Sequence, residues 1–149
     1  MKIAIGCDHG GIVLKSAVLE VLNEKGIDSE DLGCFTNDSV DYPDYALKVA
    51  EEVSQGKADL GIILCGTGIG ISIAANKVKG IRAAVAHDLF TAEMCKRHNN
   101  ANILAMGGRV ISPELAKDMV RIWLDSEFEG GRHLNRINKI SEIEQKYFK

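Results

Sequence analysis

The chain has 149 residues, of which 46% are hydrophobic and 26% charged, and its formal net charge is -3. This length predicts one domain with an ordinary buried core. A slightly acidic chain offers no basic field to attract nucleic acid or an anionic membrane surface, so both are excluded as predicted partners and small molecules are favoured.

Apolar runs and helical periodicities alternate along the chain as far as residue 125. The predicted strands are Lys2 to Gly6, a weaker one near Asp31 to Cys34, Leu60 to Leu64, Ile81 to Ala86 and Asn102 to Met106. The predicted helices cover residues 11 to 25, Tyr45 to Val53, Ile69 to Val78, Asp88 to Arg97 and Pro113 to Leu124. Such alternation implies parallel strands joined by right-handed crossovers. We therefore expect an α/β fold with a doubly wound, Rossmann-like five-stranded parallel sheet and helices on both faces.

The last segment differs from the rest, because Gly130 and Gly131 interrupt the chain before it. Apolar residues then recur every three or four positions, which predicts an amphipathic helix over about 133–148. These residues are Leu134, Ile137, Ile140, Ile143 and Tyr147. We predict a single domain over residues 1–149. Packing of the final helix on its own domain and contact with a partner subunit are both open.

The first apolar stretch ends at Asp8 and is too short for a signal-peptide core or a membrane-spanning helix, which predicts a cytoplasmic protein. The four cysteines form no C-x-x-C pair and have no histidine spacing suited to zinc. We therefore expect free thiols and no metal site. For Cys7, Cys34 and Cys95, the expected role is that of small buried hydrophobic side chains.

The most informative segment runs from Leu60 to Ser72. A strand-like run ends at Cys65 and leads into Gly66, Gly68 and Gly70 at alternate positions, followed by a helix. Backbone N–H groups and the helix dipole suit such a loop to an anion. The P-loop pattern is absent and the spacing does not match G-x-G-x-x-G, so a nucleotide cofactor is disfavoured. A tight turn that serves packing alone is the structural alternative.

Cys65 stands at the end of the predicted strand, beside oriented N–H groups that stabilise a thiolate. A nucleophilic cysteine normally needs a histidine that activates it, and no such signature is present. A base needs only the thiolate, a bound substrate, and donors for the oxyanion that forms when a proton leaves a carbon next to a carbonyl. The pattern therefore favours Cys65 as a general base.

Asp8 and His9 lie between glycines at the end of the first predicted strand. Carboxyl ends of parallel strands meet at one edge of a sheet, so both residues should lie near Cys65. They are candidate polar ligands of a bound molecule. For Asp8, capping of the first helix is the structural alternative.

Five short segments stand in order along the chain: Gly6–Gly11, Asp41–Asp44, Cys65–Gly70, His98–Asn100 and Gly107–Val110. Taken together, they resemble the type B ribose-5-phosphate isomerases, and the likeness extends almost from end to end. The related isomerases of galactose or allose 6-phosphate are similar too. The resemblance implies interconversion of ribose 5-phosphate and ribulose 5-phosphate through a cis-enediolate, without metal or organic cofactor.

The resemblance also implies a role for each matching position. Cys65 would remove and return the proton, and the enediolate would be stabilised by Gly66, Thr67, Gly68 and Gly70. Asp8 and Tyr42 would hold sugar hydroxyls or shuttle a proton, whereas His98, with Thr67 and Asn99 nearby, would open the furanose ring. The phosphate would be bound by His9, Arg109, Arg132 and Arg136.

His98 precedes the strand that starts near Asn102, which places it at the amino edge of the sheet, whereas Cys65 lies at the carboxyl edge. Within one subunit, a strand of five residues separates these edges by roughly 17 Å. We therefore expect His98 and Asn99 to enter the pocket of a neighbouring subunit. This predicts a homodimer with shared active sites, and pairing of dimers into tetramers is open.

Two other functions are compatible with the same features. A six-carbon sugar phosphate such as allose or galactose 6-phosphate could be the substrate, because the sequence does not show the depth of the pocket. A module that binds a phosphosugar without converting it has the same fold requirements. An ionisable thiol inside the anion loop argues against that module, because a binder needs no base there.

Overall fold

The computed structural model describes residues 1–149 and contains five strands and six helices. The strands are β1 (Lys2–Cys7), β2 (Asp28–Asp31), β3 (Leu60–Cys65), β4 (Ala83–Val85) and β5 (Ile103–Gly107). The helices are α1 (Ile12–Glu24), α2 (Tyr42–Ser54), α3 (Ile69–Ala75), α4 (Leu89–Arg97), α5 (Pro113–Asp125) and α6 (Arg132–Tyr147). All strands are parallel, in the order β2-β1-β3-β5-β4. The predicted fold class is confirmed.

The sheet is covered on both faces, which explains why β1, β3 and β5 are almost uninterrupted apolar runs. Helices α1, α4 and α5 pack on one face around a cluster of 22 buried residues that includes Trp123. Helices α2 and α3 pack on the other face around a cluster of 12 buried residues. Side chains alternate along a strand, so Leu64 faces the first cluster and Cys65 the second.

Several predicted bounds were wrong. The second strand is Asp28–Asp31 and ends where the predicted strand near Asp31 to Cys34 begins. It lies at the edge of the sheet and has no apolar residue, so pairing with β1 rather than burial fixes its position. Helix α2 begins at Tyr42, three residues earlier than predicted, because a proline is tolerated in the first turn. Helix α3 and strand β4 are both shorter than predicted.

Helix α6 contacts its own chain through only one narrow part of its surface. His133 and Ile137 are buried, whereas four apolar residues of the predicted stripe are exposed. These four are Leu134, Ile140, Ile143 and Tyr147. Most of the apolar face therefore stays uncovered in one chain. No helix of the protein is both long and apolar enough to cross a membrane.

The topology opens a crevice between β1 and β3. These strands are neighbours, yet the helices that follow them, α1 and α3, lie on opposite faces of the sheet. The loops that leave the two carboxyl ends diverge at this point, which is where open α/β sheets hold their ligands. Asp8 and Cys65 stand at the two sides of the crevice.

Candidate active site

Three loops meet at the carboxyl edge of the sheet, after β1, β3 and β5. The Gly108 amide donates to the Cys65 carbonyl oxygen at 2.8 Å, and the Arg109 amide donates to the Gly66 carbonyl oxygen at 2.9 Å. A Cβ atom on Gly10 would lie 3.0 Å from the Gly66 nitrogen, and one on Gly108 would overlap the Gly10 carbonyl oxygen. The loops therefore pack backbone against backbone, which only glycine permits at these positions.

Cys65 is 4% exposed, and its Sγ atom accepts a hydrogen bond from the Gly68 amide at 3.1 Å. Gly68 adopts a φ of +80° immediately before α3. A Cβ atom there would lie 2.9 Å from the Met106 carbonyl carbon, so both the conformation and the space require glycine. An N–H that donates to sulfur stabilises the thiolate more than the thiol. This arrangement can support a thiolate base.

The other cysteines have different surroundings. Burial raises the pKa of Cys7 to about 12, and its neighbour Cys34 adds to the effect. Burial also raises the pKa of Cys95 to about 11. Cys34 is buried, and its thiol donates to the Thr36 carbonyl oxygen at 3.3 Å. Cys7 and Cys95 therefore remain protonated at neutral pH and pack as small apolar side chains.

Asp8 is 6% exposed and closes the turn between β1 and α1. Its Oδ1 atom accepts hydrogen bonds from the Gly10 amide at 2.8 Å and from the Gly11 amide at 3.0 Å. Asp8 therefore stabilises the turn before α1 but does not cap the helix, whose N-cap is Gly11 without a side-chain hydrogen bond. Its Oδ2 atom has no hydrogen-bond partner in the protein, so that oxygen is available to a ligand.

Tyr42 packs against the loop that follows Cys65, and His9 lies in the neighbouring loop after β1. The Nδ1 atom of His9 accepts a hydrogen bond from the Val40 amide at 3.1 Å, so the proton of the neutral ring is on Nε2. A Cβ atom on Gly70 would lie 2.7 Å from Cζ of Tyr42, which shows that the phenol ring packs against that glycine.

Arg109 contacts the same loop, and Thr67 lies within it. A Cβ atom on Gly66 would lie 3.0 Å from Nη1 of Arg109, so the guanidinium group lies over that glycine. Thr67 is exposed, and its hydroxyl accepts a hydrogen bond from the Ile69 amide at 3.1 Å. Every predicted site residue up to Gly70, together with Arg109, therefore lies at the carboxyl edge.

The remaining predicted residues are His98, Asn99, Arg132 and Arg136, and they lie at the amino edge. His98 ends α4, and its ring is stacked on that of His133, with centroids 4.2 Å apart and planes 9° from parallel. Arg132 and Arg136 stand on the first turns of α6, on either side of His133 in sequence. One chain therefore splits the predicted site into two groups at opposite edges of the sheet.

Two residues that the sequence analysis missed belong to the second group. The Glu129 carboxylate lies 3.7 Å from Nε2 of His98 and 3.5 Å from Nε2 of His133, and it accepts a hydrogen bond from Nε of Arg97 at 2.7 Å. Burial lowers the pKa of His133, and the positive charges of His98 and Arg132 add to the effect. The only sequence signal was that His133 stands four residues before the buried Ile137, on the same helix face.

The chain contains a cavity of about 390 Å³, and Cys65 does not line it. It lies between β4 and the second half of α6, and Asn99 lines it together with Ile140 and Ile143. Its walls are largely apolar. The candidate base Cys65 and this cavity therefore lie in different parts of the chain.

Comparison with known proteins identifies the family. The model of the family described as Ribose/Galactose Isomerase matches residues 3–140. The chain belongs to this family. Within the ribose/galactose isomerase family, a solved ribose-5-phosphate isomerase B from Clostridium thermocellum is 56% identical, with a TM-score of 0.96 and coverage of 99% of both chains.

Two other members differ in what their names state. A ribose-5-phosphate isomerase B from Mycoplasma genitalium, solved with bound ribulose-5-phosphate, is 41% identical, with a TM-score of 0.94 and coverage of 97% of both chains. A D-erythrulose-4-phosphate isomerase from Pectobacterium atrosepticum is 46% identical over 97% of this chain and 95% of its own length. Members similar to this chain thus bear names with four-carbon and five-carbon sugar phosphates.

Proposed function

We propose that the protein is an aldose–ketose isomerase that interconverts ribose 5-phosphate and ribulose 5-phosphate, with Cys65 as the general base. The observation that carries the proposal is the hydrogen bond of 3.1 Å from the Gly68 amide to Sγ of Cys65, at the crevice between β1 and β3. The ribulose-5-phosphate in the Mycoplasma genitalium relative supports the substrate.

The loop geometry supports the following path for the proton. The Cys65 thiolate removes the proton from carbon 2 of the open-chain aldose, and the electrons of that bond move into a cis-enediolate. Its developing negative charge is stabilised by the amides of Gly66 to Gly70, so the step requires neither metal nor organic cofactor. Delivery of a proton from the Cys65 thiol to carbon 1 yields the ketose, and exchange of that thiol proton with water allows label to enter. The free Oδ2 of Asp8 and the phenol of Tyr42 move the hydroxyl proton between oxygens 1 and 2.

The remaining predicted residues serve ring opening and phosphate binding. His98 protonates the ring oxygen of the furanose, with Thr67 and Asn99 nearby. Three arginines and His9 hold the phosphate; the Nε2 proton of His9 points away from its bond to Val40 and is available to a phosphate oxygen. The arginines are Arg109, Arg132 and Arg136.

A site with these parts requires two chains, so we propose a homodimer of single-domain subunits in which His98, Asn99, Arg132 and Arg136 enter the partner's pocket. Three observations support sharing: the separation of the two groups by a strand's length, the uncovered apolar face of α6, and the apolar cavity beside Asn99. Each exposes apolar surface or leaves a site incomplete in a single chain. A soluble cytoplasmic dimer, or a tetramer of two dimers, fits these features.

Hydrogen exchange at carbon 2 of ribose 5-phosphate in heavy water is the most direct test. An isomerase with Cys65 as base loses the carbon-2 proton to solvent during turnover, and the parent protein should show washout together with net formation of ribulose 5-phosphate. Tight binding of ribose 5-phosphate without washout would instead identify a non-catalytic phosphosugar-binding module. The experiment therefore separates the two classes of protein.

The length of the carbon chain needs a separate measurement. The Pectobacterium relative's name gives a four-carbon substrate, and the family description includes galactose. We propose the five-carbon substrate, and kcat/KM should be highest for ribose 5-phosphate when it is compared with erythrulose 4-phosphate, allose 6-phosphate and galactose 6-phosphate. A higher value for another sugar would replace the substrate but leave the mechanism in place.

A further inference from the structure

The ring of His98 is held by a neighbouring ring rather than by a hydrogen bond. Its side chain is 38% exposed at the end of α4, and its nearest acidic oxygen, on Glu129, is 3.7 Å away. The imidazole of His133 is 7% exposed and lies flat against it, with centroids 4.2 Å apart and planes 9° from parallel. Without that contact, an exposed histidine at a helix end would exchange freely between rotamers.

His133 is itself fixed by its surroundings. It stands in the first turn of α6, where its amide donates to the Gly130 carbonyl oxygen at 3.1 Å. The segment before it is tied to α4, because the Glu129 amide donates to the Arg97 carbonyl oxygen at 3.0 Å and its carboxylate binds the Arg97 side chain at 2.7 Å. Three contacts thus join the end of α4 to the start of α6, namely the ring stack and the two hydrogen bonds between Arg97 and Glu129.

Several charged groups lie around the stack. On α4, Arg97 pairs with Glu93 and with Glu129. The Glu129 carboxylate lies near both rings, and Arg132 and Arg136 of α6 act on His133. Burial lowers the pKa of His133, so this ring stays neutral beside His98. A neutral ring can support a protonated neighbour without repelling its charge.

The same three residues do not make a preorganised metal site. The possible ligand atoms of His98, Glu129 and His133 lie within 4.8 Å of one another. A metal binds an imidazole nitrogen in the plane of its ring, yet the two planes are nearly parallel and stacked, so no point lies in both. Coordination would require the stack to be broken, and we therefore assign it a different role.

We propose that His133 is a positioning residue, whose ring holds the imidazole of His98 in the orientation that opens the furanose ring of the partner's substrate. The inference rests on the proposed function. In the step concerned, the bond between carbon 1 and the ring oxygen breaks and the ring oxygen takes a proton from His98. The carbon-1 hydroxyl gives its proton to solvent water as the aldehyde forms, and water then returns a proton to His98. A donor that is held in line reacts more often than one that rotates.

The test separates ring opening from proton transfer at carbon. Ribulose 5-phosphate is an open-chain ketose, because its carbon-5 oxygen carries the phosphate, so exchange of its carbon-1 proton with heavy water needs Cys65 but no ring opening. In His133→Ala, kcat/KM for ribose 5-phosphate should fall roughly tenfold or more, whereas carbon-1 exchange in ribulose 5-phosphate should stay within about twofold of the parent.

Matched variants keep the test decisive. His133→Phe preserves a flat ring and should restore kcat/KM for ribose 5-phosphate to within about threefold of the parent. His133→Leu has similar bulk without a planar face and should behave like alanine, so it replaces His133→Ala if that variant does not fold. Asn135→Ala, an exposed change on the same helix, should alter neither rate.

Two outcomes would overturn the inference. One is an unchanged rate with ribose 5-phosphate in folded His133→Ala and His133→Leu. The other is an equal fall of ring-dependent turnover and carbon-1 exchange, which indicates general damage to the site. Failure of the proposed function looks different, because the parent protein itself would then show no carbon-1 exchange.

Discussion

The two edges of the sheet hold their functional groups in different ways. At the carboxyl edge, Cys65 is surrounded by main chain: its partner is the Gly68 amide, and Gly107 and Gly108 pack directly on neighbouring loops. At the amino edge, His98 is held by side chains, through a stack with His133 and a carboxylate nearby. The first arrangement is rigid by packing, whereas the second depends on contacts that a single substitution removes.

This difference predicts which amino-acid substitutions each edge tolerates. A new side chain at a close backbone crossing must displace a loop, so the carboxyl edge should respond to added atoms. Side-chain stacks and ion pairs at a half-exposed edge should respond to removed atoms, with smaller losses. Variants at the two edges can therefore be ranked by expected effect.

The largest effect is expected from Cys65→Ser. A hydroxyl is far too weak an acid to serve as a base at neutral pH, so kcat should fall by about three orders of magnitude or more while KM changes little. Steady-state kinetics with ribose 5-phosphate measure this. Cys95→Ala is the matched control, because that thiol is buried and has a pKa raised to about 11, and it should keep parental kcat. A Cys65→Ser enzyme within tenfold of the parent would remove the base from the mechanism.

Mixed dimers test whether the two edges belong to one site. His98→Ala and Cys65→Ala subunits are each expected to be nearly inactive alone. In a verified heterodimer, one of the two sites combines an intact Cys65 with an intact His98, so about half of the sites should work, and about a quarter after random mixing. Activity of purified heterodimers is the measurement. No recovery in them would contradict shared sites.

Thiol alkylation compares the cysteines directly. Iodoacetamide should inactivate the enzyme through a single modified residue, Cys65, and bound ribose 5-phosphate should slow the reaction several-fold. Burial raises the pKa of Cys7 to about 12 and that of Cys95 to about 11, so these thiols should remain unmodified in the folded protein. Peptide mass spectrometry locates the label. Full modification without loss of activity would argue against the assignment.

Added atoms at the two edges should have separable effects. In Gly107→Ala, the new methyl group would lie 2.5 Å from the Thr67 carbonyl carbon, so the anion loop must move and turnover should fall roughly 100-fold. The expected loss in free energy of unfolding is about 1–3 kcal/mol. Gly80→Ala has a φ of +86° and open space, so strain should cost about 1–2 kcal/mol. Turnover by Gly80→Ala should stay at the parental rate. A fall in its turnover similar to that of Gly107→Ala would contradict the predicted difference between the two edges.

The smallest effect is a dependence of stability on pH at the amino edge. Burial lowers the pKa of His133 below its usual 6.5, so the unfolded chain binds a proton more readily than the folded chain. The contribution of His133 to stability is therefore present above pH 6.5 and is lost as the pH falls below it. His133→Phe removes this term, so the parent should lose Tm relative to the variant between about pH 7.5 and 5.5. A difference in Tm between the parent and His133→Phe that does not change with pH would contradict this prediction.

Much of the fold could be predicted because the central strands carry the strongest local signals. Strands β1, β3 and β5 are buried on both faces, so their apolar runs stand out in sequence. Strand β2 gave no such signal, since Asp28–Asp31 is polar and owes its place to pairing with β1. A local hydrophobic pattern indicates which segments are buried. It does not locate a polar strand such as β2, whose position is fixed by pairing with β1.

The same distinction applies to the candidate site. The loop beside Cys65 could be predicted from the spacing of Gly66, Gly68 and Gly70. The order of helices and strands was sufficient to place His98 at the opposite edge of the sheet. The contact between His98 and His133 joins residues 35 positions apart across a glycine break, and no periodicity encodes it. Tertiary side-chain contacts of this kind appear only once α4 and α6 are placed together.

The glycine crossings beside Cys65 also determine where substrate range can be changed. Gly10, Gly66 and Gly107 lie in close contact with neighbouring loops or side chains, so these positions leave little room for a larger residue. Attempts to accommodate a shorter or longer sugar should therefore leave these glycines unchanged and substitute side chains that border the loop, such as Tyr42 and Arg109. In the proposed dimer, His98 and Asn99 from the second copy would be further positions to vary.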